Sequence, residues 1–114
     1  MKTLIILNDP PYGTERSYNG LRLAKTLAKK GADVTLFLMA DAVGCAKRGQ
    51  KVPQGFYNVE LMVKSIVRDG SVLLCGTCMD ARGLADGELT EGARRSTMDE
   101  LAQHTLEADK VLVF

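Results

Sequence analysis

Four short runs of consecutive apolar residues constrain the fold of this chain more than any other feature. They lie at residues 3–7, 34–39, 72–74 and 111–114. Apolar and polar residues do not alternate within them, so each run is expected to be a strand buried on both faces. Strands of this kind belong to a parallel sheet that helices cover on both sides.

Helical patterns separate these runs. Residues 17–30 and 97–108 carry apolar side chains at helical spacing, and residues 56–68 place an apolar stripe on one face, formed by Phe56, Val59, Met62, Val63, Ile66 and Val67. The first helix is expected to stop at Gly31. The last is expected to begin with a capping box, Thr97-x-x-Glu100, and to bury Met98, Leu101, Ala102, Thr105 and Leu106.

The order of these elements predicts an α/β fold, a three-layer α/β/α sandwich with a mostly parallel sheet of four to five strands. A fifth, short strand would fall in residues 85–92, where the signal is weak. Residues 41–55 form the longest irregular stretch and are expected to be a mobile loop, or a loop wrapped around a short helix. At 114 residues and 46% apolar content the chain is long enough for one domain, residues 1–114, with its own core.

Composition disfavours two classes of partner. The 15 basic residues nearly balance the 14 acidic ones, and no basic face with interleaved aromatic residues is visible, so binding to nucleic acid is not expected. The apolar run after Met1 and Lys2 is too short for a signal peptide or a membrane span. The chain is therefore expected to be cytoplasmic, with its three cysteines as free thiols.

The segment Cys75-Gly76-Thr77-Cys78 is the strongest candidate for chemistry. It follows the apolar run 72–74 directly and precedes a short predicted helix, 79–84, that stops at Gly83. Open α/β sheets place their functional residues at the carboxyl ends of the strands. The N-terminus of a helix also stabilises a thiolate. The sequence therefore predicts reactive sulfur on Cys75 and Cys78.

Four interpretations of this cysteine pair remain. A metal site would need Cys45 and His104 to complete it, so neither a metal nor a cofactor is expected. The pair would also fit a redox dithiol, or a single-thiol sulfur carrier whose charge backbone N–H groups stabilise. In the remaining interpretation both cysteines are packing residues at a junction between strand and helix.

Other residues are expected at the same edge of the sheet. Cys45 is either structural or a resolving thiol. Arg82 either stabilises a thiolate or forms an ion pair, while Asn8 and Asp9 either contact the site or shape the turn at the two prolines. His104 falls away from the apolar stripe of its helix and is expected to be solvated, which disfavours a dyad of cysteine and histidine.

Several segments together carry a resemblance to a known family. They are Asn8-Asp9-x-Pro11-Tyr12-Gly13, Tyr18-Asn19-Gly20-Leu21, Asp41-Ala42-Val43-x-Cys45-Ala46, Cys75-Gly76-Thr77-Cys78-x-x-Ala81-Arg82-Gly83 and Ala108-Asp109-Lys110-Val111. On these residues the whole chain resembles the DsrE/DsrF-like family, and within it the branch of small YchN-like proteins. The resemblance implies a three-layer α/β sandwich that assembles into homotrimers or homohexamers.

The resemblance also implies a sulfur relay, in which a cysteine accepts sulfur from a donor protein as a persulfide and passes it to an acceptor. The carrier position of the family falls on Cys75, with Thr77 among the supporting residues. The relay members generally lack a second cysteine, so Cys78 is a departure from their pattern. Three hypotheses follow: a persulfide carrier, a thiol–disulfide switch that uses Cys75 and Cys78, and a non-catalytic oligomeric binding module.

Overall fold

The computed structural model describes residues 1–114 and contains one five-stranded sheet. Its strands are β1 (Lys2–Leu7), β2 (Asp33–Leu38), β3 (Ser71–Cys75), β4 (Ala93–Ser96) and β5 (Lys110–Val113). All are parallel, in the order β4-β3-β2-β1-β5. The α-helices are α1 (Arg16–Lys29), α2 (Val59–Asp69), α3 (Gly76–Ala81) and α4 (Met98–Glu107), and two 3-10 helices span Ala40–Ala46 and Asp86–Glu88. The predicted α/β fold is confirmed.

The two faces of the sheet are covered unequally. Side chains alternate between the faces along each strand. One face carries the larger apolar cluster, in which the strands pack against α1, α2 and the 3-10 helix Ala40–Ala46. The other face carries a cluster of only five buried residues, Leu4, Phe37, Leu73, Cys75 and Leu101, the last of which comes from α4. The layers are therefore the expected three, but α4 alone forms the third.

Two helix ends follow the local sequence signals. Gly31 lies just beyond α1 with a φ of +93°, a conformation that glycine adopts without strain. The Thr97 side chain accepts a hydrogen bond from the backbone N–H of Glu100 at 3.1 Å and so caps α4. The Glu100 carboxylate accepts hydrogen bonds from Arg94 and Ser96 rather than from the Thr97 backbone N–H, so one of the two hydrogen bonds of the predicted capping box is absent.

The fifth strand exists, but its position within residues 85–92 was wrong. β4 begins at Ala93, one residue beyond that stretch, and pairs in parallel with β3. It lies at the edge of the sheet and reads Ala-Arg-Arg-Ser, without an apolar run. Charged residues are common on edge strands because they discourage pairing with other chains. Because of its two arginines, β4 lacks the apolar run from which the other strands were predicted.

The predicted apolar face of α4 was also wrong in part. Leu101 is buried, whereas Met98 is exposed and Leu106 is 83% exposed. His104, expected to be solvated, is half-buried. It occupies the packed face because it lies three residues after Leu101, and positions three apart share one side of a helix. In the second helix, Phe56 lies ahead of α2 and is 70% exposed, so it does not belong to the buried stripe.

Candidate functional site

At the junction between β3 and α3, two hydrogen-bond partners contact the Cys75 sulfur. Cys75 ends β3 and is the N-cap residue of α3, with 8% of its surface exposed. Its Sγ accepts a hydrogen bond from the backbone N–H of Cys78 at 3.3 Å. The Thr77 hydroxyl lies at the same distance, 3.3 Å, and donates to the sulfur when Cys75 is ionised. Donors directed at a sulfur favour its charged form.

The two thiols of this junction differ in acidity. Burial raises the pKa of Cys75, but hydrogen bonds from the side chains and backbone N–H groups of Cys78 and Thr77 outweigh it, so the pKa is lowered from its ordinary value. The pKa of Cys78 is raised by burial and by its hydrogen bond to Cys75. Cys75 is therefore the more acidic thiol of the pair, and Cys78 lies beside it as a protonated donor.

Cys75 faces a cavity of about 280 Å³ on the α4 side of the sheet. The wall is formed by the start of α3, by the end of β4 and by the start of α4. Its lining residues are Phe37, Cys75, Gly76, Thr77, Asp80, Arg95, Ser96, Thr97 and Met98. A small group attached to the sulfur therefore has room beside it, between an apolar wall and several hydroxyl groups.

Arg95 is a residue of this site that the sequence did not reveal. Its Nη1 donates to the Gly76 carbonyl oxygen and to Asp80 Oδ1, both at 3.0 Å, and its Nε donates to Asp86 at 2.8 Å. A Cβ atom on Gly76 would lie only 3.0 Å from Arg95 Cγ, so a larger residue there would push against the arginine side chain. In the sequence Arg95 is visible only as half of a basic pair, Arg94-Arg95. Its position beside the cysteines depends on the pairing of β3 with β4, which the sequence does not show.

Arg82 lies on the Cys78 side of the junction. Its Nε donates to Asp41 Oδ1 at 2.8 Å, and its Nη1 donates to the Cys78 carbonyl oxygen at 3.1 Å. The Arg82 charge acts to lower the pKa of Cys78, but burial and the hydrogen bond to Cys75 outweigh it, so the pKa is raised overall. The expected convergence of the loops after β2 and β3 is thus present, and it joins Arg82 to Asp41 rather than to the Cys75 thiol.

Cys45 lies on the opposite face of the sheet from Cys75. It is completely buried in the larger apolar cluster, whereas Cys75 belongs to the cluster on the opposite face of the sheet. Burial is the main reason that the pKa of Cys45 is raised to about 12, against a smaller opposing effect of a hydrogen bond with Ser17. A thiol in this environment stays protonated and shielded from reagents.

Asn8 and Asp9 organise the loop that follows β1. Asn8 Nδ2 donates to the carbonyl oxygen of Phe114 at 3.1 Å, which fixes the end of the chain beside β1. Asp9 Oδ2 accepts a hydrogen bond from the Thr14 hydroxyl at 2.6 Å, and its backbone oxygen accepts one from Ser17. The hydrogen bonds of both side chains are thus made within and around this loop, not with the cysteines.

His104 lies at the other end of the sheet from the cysteines. It lines a cavity of about 140 Å³ with Lys2, Asp33 and Glu107, near the amino ends of β1 and β2. No group of three or more histidine, cysteine, aspartate and glutamate side chains is arranged to bind a metal ion. None of the helices combines the length and the apolar character that crossing a membrane requires.

The fold and the thiol junction define the class of protein. The chain matches the DsrE/DsrF-like family over residues 1–114, and it belongs to that family. It is 45% identical over 116 residues to Protein YchN of Escherichia coli (strain K12), an alignment that covers 99% of this chain and 98% of that protein. It is 38% identical over 114 residues to an uncharacterized protein of Methanocaldococcus jannaschii, with both chains covered completely.

Solved structures show the same architecture. The crystal structure of the YchN protein from E. coli superposes with a TM-score of 0.95 at 44% identity, covering 100% of this chain and 99% of that one. A protein of unknown function from Methanobacterium thermoautotrophicum superposes with a TM-score of 0.77 at 13% identity, over 99% of this chain and 97% of that one. The second likeness shows the fold alone.

Proposed function

We propose that this protein is an intracellular sulfur carrier that holds sulfur as a persulfide on Cys75. The observation that carries the proposal is the hydrogen bonding of Cys75 Sγ by the Cys78 N–H and by Thr77, at 3.3 Å each, beside an open cavity. The lowered pKa of Cys75 follows from the same contacts. Membership of the DsrE/DsrF-like family supports the proposal, because the resemblance to that family implies a sulfur relay with its carrier position on Cys75.

The loading step is an exchange of one sulfur–sulfur bond for another. The Cys75 thiolate attacks the outer sulfur of a donor persulfide, R–S–SH. The donor S–S bond breaks and R–S⁻ leaves, while a new S–S bond forms and Cys75 becomes Cys–S–SH. No external oxidant is needed, because the oxidation level of the transferred sulfur is conserved. The donors around Cys75 Sγ stabilise the attacking thiolate, and the cavity beside it leaves room for the outer sulfur.

Cys78 gives the site a second candidate function, a thiol–disulfide switch. The Cys78 backbone N–H donates to Cys75 Sγ at 3.3 Å, and each of the two thiols shifts the pKa of the other; this proximity is the observation that favours the switch. In a persulfide carrier the Cys78 thiolate would attack the inner sulfur of Cys75–S–SH, form the Cys75–Cys78 disulfide and expel HS⁻. In a pure switch the same disulfide would form from the two thiols, with two electrons and two protons passing to an oxidant.

Intact mass spectrometry separates these functions. The protein, with Cys75→Ser and Cys78→Ser variants, is incubated with glutathione persulfide and measured before and after reduction. A carrier gains about 32 Da, one sulfur atom, and only Cys75→Ser abolishes the gain. Cys45→Ala is the matched control and should load normally. Loading that persists in Cys75→Ser would refute the assignment. A loss of two protons in the wild type, with no sulfur gain in Cys78→Ser either, would favour the switch.

We also propose that the chain self-associates, into a homotrimer or homohexamer. The observation that supports self-association is a set of large apolar side chains exposed on α4 and β5. They are Met98, Leu106, Val111 and Val113. Val113 is 64% exposed on the sheet face that only α4 covers. Exposed apolar surface next to a thinly covered sheet is typical of an interface. Donor and acceptor proteins would then meet the assembled form at the Cys75 cavity.

A further inference from the structure

A groove on the opposite side of the molecule from the Cys75 cavity combines three cations with exposed apolar side chains. It runs between α1 and the start of α2, has a volume of about 530 Å³ and is open to solvent. The wall from α1 carries Arg22, Lys25 and Lys29, while the opposite wall carries Phe56, which precedes α2, and Leu61 of α2. No acidic side chain lines it.

The three cations form a row without ionic partners. Arg22, Lys25 and Lys29 are exposed, and none of them forms a salt bridge. Residues separated by three and four positions share one face of a helix, so the row extends about 10 Å along α1. The neighbouring Lys64 shows the contrast, since it pairs with Glu60 at 3.6 Å. The charge of the groove is thus left uncompensated within the chain.

Stacked tyrosines form the floor of the groove. The rings of Tyr18 and Tyr57 stack with centroids 4.0 Å apart, and the Arg22 guanidinium lies 5.4 Å from the Tyr18 centroid. The Tyr57 hydroxyl donates to Glu15 at 3.1 Å. Above this floor, Phe56 and Leu61 are 70% and 60% exposed, a large apolar area in contact with water. Such an arrangement is typical of a site for an apolar anchor with a charged rim.

We propose that this groove binds an acidic peptide segment of a partner protein, with a large apolar side chain seated against Phe56 and Leu61. Carboxylates of the segment would pair with Arg22, Lys25 and Lys29, and charge complementarity of this kind gives specificity and fast association. The open groove suits an extended chain better than an enclosed small molecule.

Single-stranded nucleic acid fits the groove less well. Its bases bind by stacking on free aromatic faces. Here the rings of Tyr18 and Tyr57 are stacked on each other, and Leu61 is not aromatic. The sequence showed no basic face with aromatic residues because the row lies in α1 whereas Phe56 and Tyr57 lie in a separate segment. The fold brings the two segments together, but within the groove it leaves Phe56 as the one large exposed ring.

The test is a selection from a phage-displayed library of random dodecapeptides on the full-length protein. Peptides with two or more carboxylates and a large apolar residue should be enriched. Fluorescence anisotropy then compares the best peptide on the wild type, on the groove variant Arg22→Gln/Lys25→Gln/Lys29→Gln and on the control Lys30→Gln/Lys51→Gln/Lys110→Gln, which removes the same net charge. Three exposed ion pairs correspond to roughly a tenfold loss of affinity in the groove variant, and the control should change little. Phe56→Ser should weaken binding independently.

Four results would overturn the proposal. They are a failure to enrich acidic peptides, an equal loss of affinity in the control variant, displacement of the peptide by a random-sequence 12-nucleotide single strand at lower concentration, and a changed sedimentation coefficient in the groove variant. The third would assign the groove to nucleic acid and the fourth to a second copy of the chain. None depends on sulfur loading, so the persulfide proposal stands or falls separately.

Discussion

Removing the Thr77 hydroxyl tests whether hydrogen bonds set the reactivity of Cys75. Thr77→Val keeps the shape and the β-branch of the side chain but removes the donor 3.3 Å from Cys75 Sγ. Hydrogen bonds to charged groups contribute about 1.5–3 kcal/mol. Thr77 is exposed and is one of several donors to a weak acceptor, so we expect about 1 kcal/mol. That energy corresponds to roughly a fivefold lower ratio of thiolate to thiol.

The assay is the pH dependence of alkylation of Cys75 by iodoacetamide, with Cys75 and Cys78 distinguished by fragment-ion mass spectrometry. The midpoint should move to higher pH in Thr77→Val. Below the midpoint the rate should fall only about two- to threefold, because a more basic thiolate is also a better nucleophile. Thr77→Ser retains the donor and should follow the wild type. If Thr77→Val and the wild type gave the same midpoint, the account of Cys75 acidity would be refuted.

Three further changes test other parts of the structure. Gly76→Ala should lower the free energy of unfolding in urea by about 1–3 kcal/mol, since its Cβ would lie 3.0 Å from Arg95 Cγ and 3.1 Å from the Ser96 oxygen; unchanged stability would contradict the packing described. Val113→Lys should lower the mass measured by light scattering if the face of β5 is an interface, whereas Lys110→Gln at the start of the same strand should not. Burial raises the pKa of Cys45 from 9.0 to about 12, so the folded state favours the protonated thiol. This contribution to stability is complete below pH 9 and is lost as the pH rises from 9 towards 12. Urea denaturation should therefore show the wild type losing stability relative to Cys45→Ala over that range, by at most about 1.4 kcal/mol per pH unit; parallel pH profiles would show that Cys45 is not buried as described.

The central strands could be predicted from sequence because burial on both faces leaves a continuous apolar run. The run at residues 3–7 became β1, and the one at 72–74 became the centre of β3. β4 had no such run, because an edge strand buries less and its two arginines point to partners on neighbouring elements. Its start at Ala93 follows from pairing with β3, which is a tertiary effect.

Strand pairing also determined how much of the site could be predicted from the sequence. Local sequence identified Cys75, Cys78 and Thr77, since all three lie within one turn between strand and helix. Arg95 belongs to the site only through the β3–β4 register, which no local pattern encodes. His104 was misplaced because Met98, Ala102 and Thr105 were counted with Leu101 as core residues, although the structure leaves all three exposed.

The central claim is that Cys75 alone carries transferable sulfur. The most direct measurement is the amount of thiocyanate released by cyanide from protein that has been loaded with glutathione persulfide and desalted, because cyanide removes only the outer sulfur of a persulfide. We expect close to one thiocyanate per chain from the wild type and from Cys45→Ala, and none from Cys75→Ser. Equal release from Cys75→Ser, or none from the wild type under conditions where free thiols load, would contradict the claim.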